Sequence, residues 1–249
     1  MIYLKSPDEI EVMRLANQIV VKAMRSLEKM VQPGVSTLEL DIEAEEIILR
    51  EGAKPAFKGY RGYAHALCTS INEEVVHGIP GPTKLKEGDI VSIDCGVLYK
   101  GFYGDHAWTF PVGKVSERAK RILEVGEKSL ALGIDQMQVG KRLFDIAAAV
   151  QNFVEANQFS VVRDFVGHGI GKELHEEPQL PNFGTAGTGM RLKKGLVLAL
   201  EPMVNEGTHE VEVRQDGWTV VTKDKKLSVH FEHSVAITEE GPDILSRGN

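Results

Sequence analysis

Four carboxylates and two imidazoles stand at matched places along this chain. Asp94 closes the stretch KLKEGDIVSID and Glu201 closes RLKKGLVLALE, two segments that share a basic residue, Leu, Lys, a charge, Gly and an apolar run ending on an acid. Downstream of each copy comes a further acid followed by histidine, Asp105 with His106 and Glu232 with His233. Upstream lie VHGIP with His77 and GHGIG with His168. An internal repeat implies that each unit packs against its twin. A carboxylate at the end of an apolar strand is partly buried, which is costly unless it is paired or metal-bound. Four converging without cations cannot all ionise, because like charges a few ångströms apart oppose one another. Two divalent cations remove that conflict, with His168 as a nitrogen donor that tells the two sites apart. Metals roughly 3.5–4 Å apart can bridge one water, lower its pKa and hold both sides of a displacement, which is a hydrolase design. Oxygen-rich ligation with one imidazole suits Mn, Fe(II), Co or Zn.

Taken singly, each residue has a duller explanation. Most Asp and Glu lie on solvated faces, and a lone His is more often structural than a ligand. The charge count needs no second imidazole, so His77 either faces substrate or simply packs, and the same pair of readings holds for His175 in GKELHEEP. His65, His106, His209, His230 and His233 have no comparable context.

The elements that must position these groups follow from local signals. Ser6, Pro7, Asp8 and Glu9 form a helix start, with a hydroxyl cap, a proline where no donor is missed and acids at the positive end of the dipole. Apolar residues then recur at helical spacing from Ile10 to Leu27, until QPGV at 32–35 stops the helix. Ser36 with Glu39 makes a capping box for the next. Residues 64–77 alternate. Residues 89–97 alternate as a strand with Asp94 on one face, and Lys100 with Gly101 makes a hairpin turn to a strand carrying Asp105. Asp94 and Asp105 therefore lie on adjacent antiparallel strands, near enough to share a cation if their faces agree. The second half repeats the order: helices from Ser116 towards Gly133 and from about 141 to 157, then GHGIG, a Gly-rich loop at 184–189 and strands through Trp218 and Glu232. The DIxA of 145–148 echoes that of 41–44. Two helices plus several strands, twice, predict an α+β fold with pseudo-twofold symmetry. No linker separates independent domains, so residues 1–249 read as one catalytic domain of two halves, about 1–112 and 113–249.

At 249 residues the chain can bury a substantial core, and 42% hydrophobic with 26% charged residues is ordinary for a soluble globular protein. A net charge of -7 with scattered Lys and Arg argues against a nucleic-acid partner. The two cysteines, Cys68 and Cys95, form no CxxC or paired framework, which fits a reducing compartment. The charged N-terminus lacks the apolar stretch of a signal peptide, and nothing approaches the roughly 20 apolar residues of a membrane helix. A cytoplasmic location is expected, with no membrane partner.

INEEVVHGIP, GDIVSIDCGV, GDHAWTF, GHGIGKELHEEP, LALEPMV, DGWTVVTKD and FEHSVAIT together form a highly specific set. With them the chain resembles the type I methionine aminopeptidases of the pita-bread fold, over nearly its whole length. That resemblance implies removal of the initiator methionine from new polypeptides whose second residue is small. It implies Asp94, Asp105, His168, Glu201 and Glu232 as metal ligands, Asp105 and Glu232 bridging, and Glu201 as general base. It implies His77 at the scissile amide or departing amine and His175 at the oxyanion. Tyr60, Tyr63, Cys68 and Trp218 match the methionine side-chain pocket, where aromatic and sulfur groups suit a thioether. Phe57 and Leu174 depart from the cysteine and phenylalanine often found in bacterial members. Asn72 and Ser228 match a region that holds a monovalent cation through backbone oxygens. A monomer acting on nascent chains, in transient association with the ribosome, is the family's habit. Two alternatives stand beside this: an Xaa-Pro aminopeptidase of the same fold, which usually carries a large additional amino-terminal domain, and a metal-free peptide-binding relative, which need not keep all five ligands.

Overall fold

Capping chemistry sets where the helices start. In the computed structural model, which describes residues 2–248, Ser6 and Ser36 each accept a hydrogen bond from the N–H of the glutamate three residues on. Glu9 and Glu39 reach back to the N–H of the cap. These reciprocal bonds satisfy donors that a helix start leaves unpaired. They open α1 (Pro7–Met30) and α2 (Thr37–Arg50). The chain continues through β1 (Lys54–Pro55), β2 (Leu67–Ile71), β3 (Glu74–Val76), β4 (Ile90–Tyr99) and β5 (Phe102–Pro111). Then α3 (Glu117–Ile134) and α4 (Leu143–Ala156) lead into β6 (Ser160–Val161), β7 (Gly167–Gly169), β8 (Glu176–Leu180), β9 (Val197–Leu200) and β10 (Met203–Asn205). The chain ends through β11 (Val211–Val213), β12 (Val220–Thr222), β13 (Ser228–His230), β14 (His233–Thr238) and β15 (Gly241–Ile244). Every strand pairing among the described residues is antiparallel.

The repeat is visible in the backbone. Leu85 donates to the Val35 carbonyl at 2.8 Å and Leu192 to that of Lys141 at 2.7 Å, with Ser36 bridged to Lys84 and Arg142 to Arg191. In this frame the cap Ser36 matches Arg142, so Glu39 matches Asp145, whose carboxylate accepts from the Arg142 N–H. The DIxA resemblance is thus two residues out of structural register. Asp41 is instead buried, accepting from the Ala66 and Leu67 amides.

Each pair of helices covers its own core. Val20, Leu27, Leu40 and Ile48 of α1 and α2 pack on Val91, Ile93 and Cys95 of β4. Ile122, Leu130, Ile146 and Val150 of α3 and α4 pack on Leu198, Leu200, Val229 and Phe231. Trp108 touches both clusters. Three further features differ from the sequence expectation. The alternating segment 64–77 splits into β2, paired with β4, and β3, paired with β12 from the other half, because the chain turns at Asn72 with a positive φ of 55°. Asp94 does not end its strand, since β4 runs on to Tyr99. Trp218 and Glu232 lie between strands rather than in them. No helix among the described residues is long and apolar enough to cross a membrane.

Candidate metal centre and substrate cavity

The β4–β5 hairpin turns at Lys100 and Gly101, both with positive φ (49° and 82°), the geometry of a two-residue primed turn. Its register sets Asp94 opposite Ala107 and Gly96 opposite Asp105. The two acids are therefore diagonal neighbours on one face, as the alternation predicts. Cys68 on β2 pairs with Asp94 and shares that face. From the other half, the Glu232 N–H donates to the Ala107 carbonyl at 2.8 Å, and Ser234 exchanges hydrogen bonds with the Asp105 backbone. Those bonds sew β5 to the start of β14 and bring Glu232 against Asp105.

His168 stands between two glycines for a steric reason. A Cβ on Gly167 would lie 2.5 Å from the Ala199 carbonyl, and one on Gly169 2.4 Å from that of Glu177. Strand β7 is squeezed between β8 and β9, and only glycine admits that approach. His168 Nδ1 bonds the Gly169 carbonyl at 2.9 Å, leaving Nε2 3.4 Å from a Glu201 oxygen. Glu201 follows β9, its peptide oxygen held by the buried Asn182 side chain at 2.9 Å.

Asp105, His168 and Glu232 are 4, 7 and 2% exposed, and their ligand atoms lie within 4.8 Å of one another. Asp94 Oδ1, Asp105 Oδ1 and Glu232 Oε1 are buried without a hydrogen-bond partner. Buried polar atoms are almost always paired, so orphaned acid oxygens facing one another call for a cation. Burial pushes the Asp94 carboxyl up to about 7 and that of Glu201 up to about 8. Burial and then the neighbouring acids raise Asp105 and Glu232 well above the carboxylate range. Burial lowers His168 to about 3, keeping it the neutral imidazole that a metal needs. Four acids that resist ionisation beside one neutral imidazole fit divalent cations, which would hold the anions that the protein alone disfavours.

A cavity of about 540 Å³ opens onto these five residues and is also lined by Tyr60, Tyr63, Cys68, His77, His175 and Trp218. The structure thus gathers the five acid and histidine ligand candidates and the six substrate-side candidates in one cavity, while Asn72 and Ser228 lie outside its lining. Tyr63 is buried, its hydroxyl donating to the Leu67 and Gly78 carbonyls, and its ring meets Trp218 edge-on at 4.9 Å. The β3–β12 pairing carries Trp218 to this wall. His77 has a φ of 60° and lies edge-on to Phe165 at 5.6 Å; burial lowers its pKa to about 4. The next residue has no room for a side chain, since a Cβ on Gly78 would meet the Thr69 carbonyl at 2.1 Å. His175 is exposed, with Nδ1 2.9 Å from the Tyr60 hydroxyl and its ring 4.4 Å from that of His168. Phe57 and Leu174 also line the cavity. Asn72 and Ser228 meet, the Ser228 N–H donating to the Asn72 carbonyl at 2.8 Å.

Two participants escaped the sequence reading. His230 is buried with Nε2 unpartnered, 3.6 Å from Glu201, and both its N–H and its carbonyl bond the Thr109 hydroxyl. Neither carried a sequence signal: His230 lies two residues before Glu232, but Glu232 is outside the strand, so strand alternation does not join them.

Buried acids around a neutral imidazole, in a duplicated α+β fold with antiparallel sheets, define a metal-dependent hydrolase. The pattern of metallopeptidase family M24 matches residues 11–239. Methionine aminopeptidase 1 of Bacillus subtilis is 53% identical over 247 residues, covering 99% of this chain and all of that one. The crystal structure of a methionine aminopeptidase from Thermotoga maritima superposes with a TM-score of 0.98 at 48% identity, covering 100% of both chains. A prolidase from Pyrococcus furiosus, 24% identical with a TM-score of 0.78, shares the fold alone, and this chain covers only 66% of it. The chain belongs to metallopeptidase family M24 and, within it, to the methionine aminopeptidases. The fold is the pita-bread fold of those enzymes.

Proposed function

We propose that this aminopeptidase removes the initiator methionine of nascent chains whose second residue is small, using Asp94, Asp105, His168, Glu201 and Glu232 to hold two divalent cations. The observation that carries this reading is the meeting of unpartnered, buried acid oxygens from both halves in one cavity beside His168. When bound, divalent cations polarise a scissile carbonyl and acidify water. Co, Mn, Fe(II) and Zn suit the donor set. Asp105 and Glu232, which meet across the join, would be the two acids shared between the cations. Glu201, fixed through Asn182 at the end of β9, receives the proton of the attacking water.

His77, held against Phe165, contacts the scissile amide or stabilises the departing amine. In the tautomer in which the Tyr60 hydroxyl donates to Nδ1, His175 keeps an Nε2–H to donate to the oxyanion. Tyr60, Tyr63, Cys68 and Trp218, with Phe57 and Leu174, shape an apolar pocket for the methionine thioether. A monovalent cation beside Asn72 and Ser228 would brace the seam between halves. The two separate helix-covered cores support one catalytic domain of two halves, about 1–112 and 113–249. The enzyme is read as a cytoplasmic monomer that meets its substrate near the ribosome.

Chelated protein supplied with Mn²⁺ or Co²⁺ should release free methionine from Met-Ala-Ser, rising with metal added up to two equivalents. Saturation at one equivalent would remove the two-cation reading, and equal release from Ala-Pro peptides would remove the proposed specificity.

A further inference from the structure

Lys5 lies at the start of the chain, yet it is 7% exposed, and its ammonium reaches Glu176 at 2.6 Å. A lysine is seldom buried, and then it is paired. Its backbone N–H also donates to the Gly195 carbonyl at 2.7 Å, and its ammonium to the Tyr3 carbonyl at 3.2 Å. Gly195 has a φ of +85°, and a Cβ there would lie 2.6 Å from the Lys5 carbonyl. Gly195 lies just before β9, the strand that leads to Glu201. One residue therefore grips the run-up to Glu201 with its main chain and the start of β8 with its side chain.

Glu176 uses both oxygens. Oε2 takes the lysine, and Oε1 accepts the Lys172 and Glu173 amides at 2.8 and 3.3 Å. The turn it closes is tightened by the Gly171 N–H on the Glu173 carbonyl, and anchored by the Tyr103 N–H on the Gly171 carbonyl. Gly171 is needed there, because a Cβ would meet Glu176 Oε1 and Lys5 Cε, each at 2.5 Å. The residue this turn presents is His175. Although the residue is exposed, its ring is oriented by the Tyr60 hydroxyl, the His168 ring and the backbone of the turn.

A buried ion pair contributes little net stability compared with an apolar pair of the same volume, because desolvation offsets the attraction. What it supplies is fixed geometry. We propose that Lys5, acting through Glu176, is a positioning residue that holds His175 in its working orientation. This rests on the substrate role of His175 given above.

The test is a double-mutant cycle with Lys5→Met and His175→Ala, in the metal-loaded enzyme, reading kcat and KM on Met-Ala-Ser together with bound metal. Lys5→Met should lower kcat by about 10- to 100-fold, the loss expected from misplacing a catalytic group by a fraction of an ångström to 1 Å. KM and metal content should hold within about 2-fold, and in the His175→Ala background Lys5→Met should cost nothing more. Full kcat in Lys5→Met, or an equal loss in both backgrounds, overturns the proposal while leaving the role of His175 intact. Full kcat in His175→Ala removes that role first, and the positioning claim with it. Should Lys5→Met not fold, Glu176→Gln keeps the acceptor for the two amides, drops the ion pair and carries the same cycle.

Discussion

The two halves deliver their acids in different ways. Asp94 and Asp105 sit on an unbroken hairpin of two ten-residue strands. Glu201 and Glu232 sit in breaks, the first between β9 and β10, the second between β13 and β14. A ladder sets the direction of every side chain by its period of two, whereas a break frees the chain to turn. The broken half is also the one that brings His168, His175 and the Trp218 hairpin to the cavity. The acids stand at matched positions while the local structure differs: one half sets its acids on a continuous ladder, the other in breaks, and both halves contribute side chains to the substrate cavity.

The comparison can be broken first at Glu201. Glu201→Gln keeps the shape and removes the base, so kcat on Met-Ala-Ser should fall by roughly 10²–10⁴-fold with the fold retained. A variant with near-native turnover would put the base elsewhere, and the broken half would lose its special place.

The next effect is on stability against pH in chelated protein. Asp94 and Glu201 have folded pKa values raised to about 7 and about 8, from 3.8 and 4.5. Below pH ~4 both carry a proton folded or unfolded, and their stabilising contribution is fully present. As pH rises the unfolded chain ionises first, and that contribution is lost through pH 7 to 8. Calorimetry should show Tm falling by roughly 20 °C between pH 4 and 8, and Mn²⁺ should abolish the fall. Asp94→Asn and Glu201→Gln should each flatten the slope, because the acids titrate together. A flat profile in chelated wild type would deny the buried acid cluster.

Glycines separate scaffold from site more finely. A Cβ on Gly104 in β5 would press on the α1 backbone, 2.8 Å from Asn17 N. Gly104→Ala should therefore cost about 1–3 kcal/mol by denaturant unfolding with kcat unchanged. Gly167→Ala meets the Ala199 carbonyl beside His168 and should lower metal affinity as well as stability. If both variants changed stability alone, the halves would not differ as described. The smallest effect is at the pocket wall: Trp218→Ala should raise KM about 10-fold, with a smaller change in kcat.

Much of this was legible because it is local. The capping boxes at Ser6 and Ser36, the turn at Lys100–Gly101 and the shared face of Asp94 and Asp105 depend on residues a few positions apart. His230 against Glu201, the β3–β12 pairing that carries Trp218 to Tyr63, and the reach of Lys5 to Glu176 join distant segments that no periodicity announces. The DIxA echo misled for the converse reason: four matching letters carry less information than the hydrogen bonds that align Glu39 with Asp145.

By itself the sequence determined which residue types recur in each half, where helices begin and which faces of β4 and β5 carry acids, because caps, turns and strand alternation act over a few bonds. Only the tertiary structure decided that these acids are buried together, that their protons are hard to remove, and that an exposed His175 is steadied from the far end of the chain. Burial and the distance between charges are properties of packing, and packing joins residues that spacing along the chain leaves far apart.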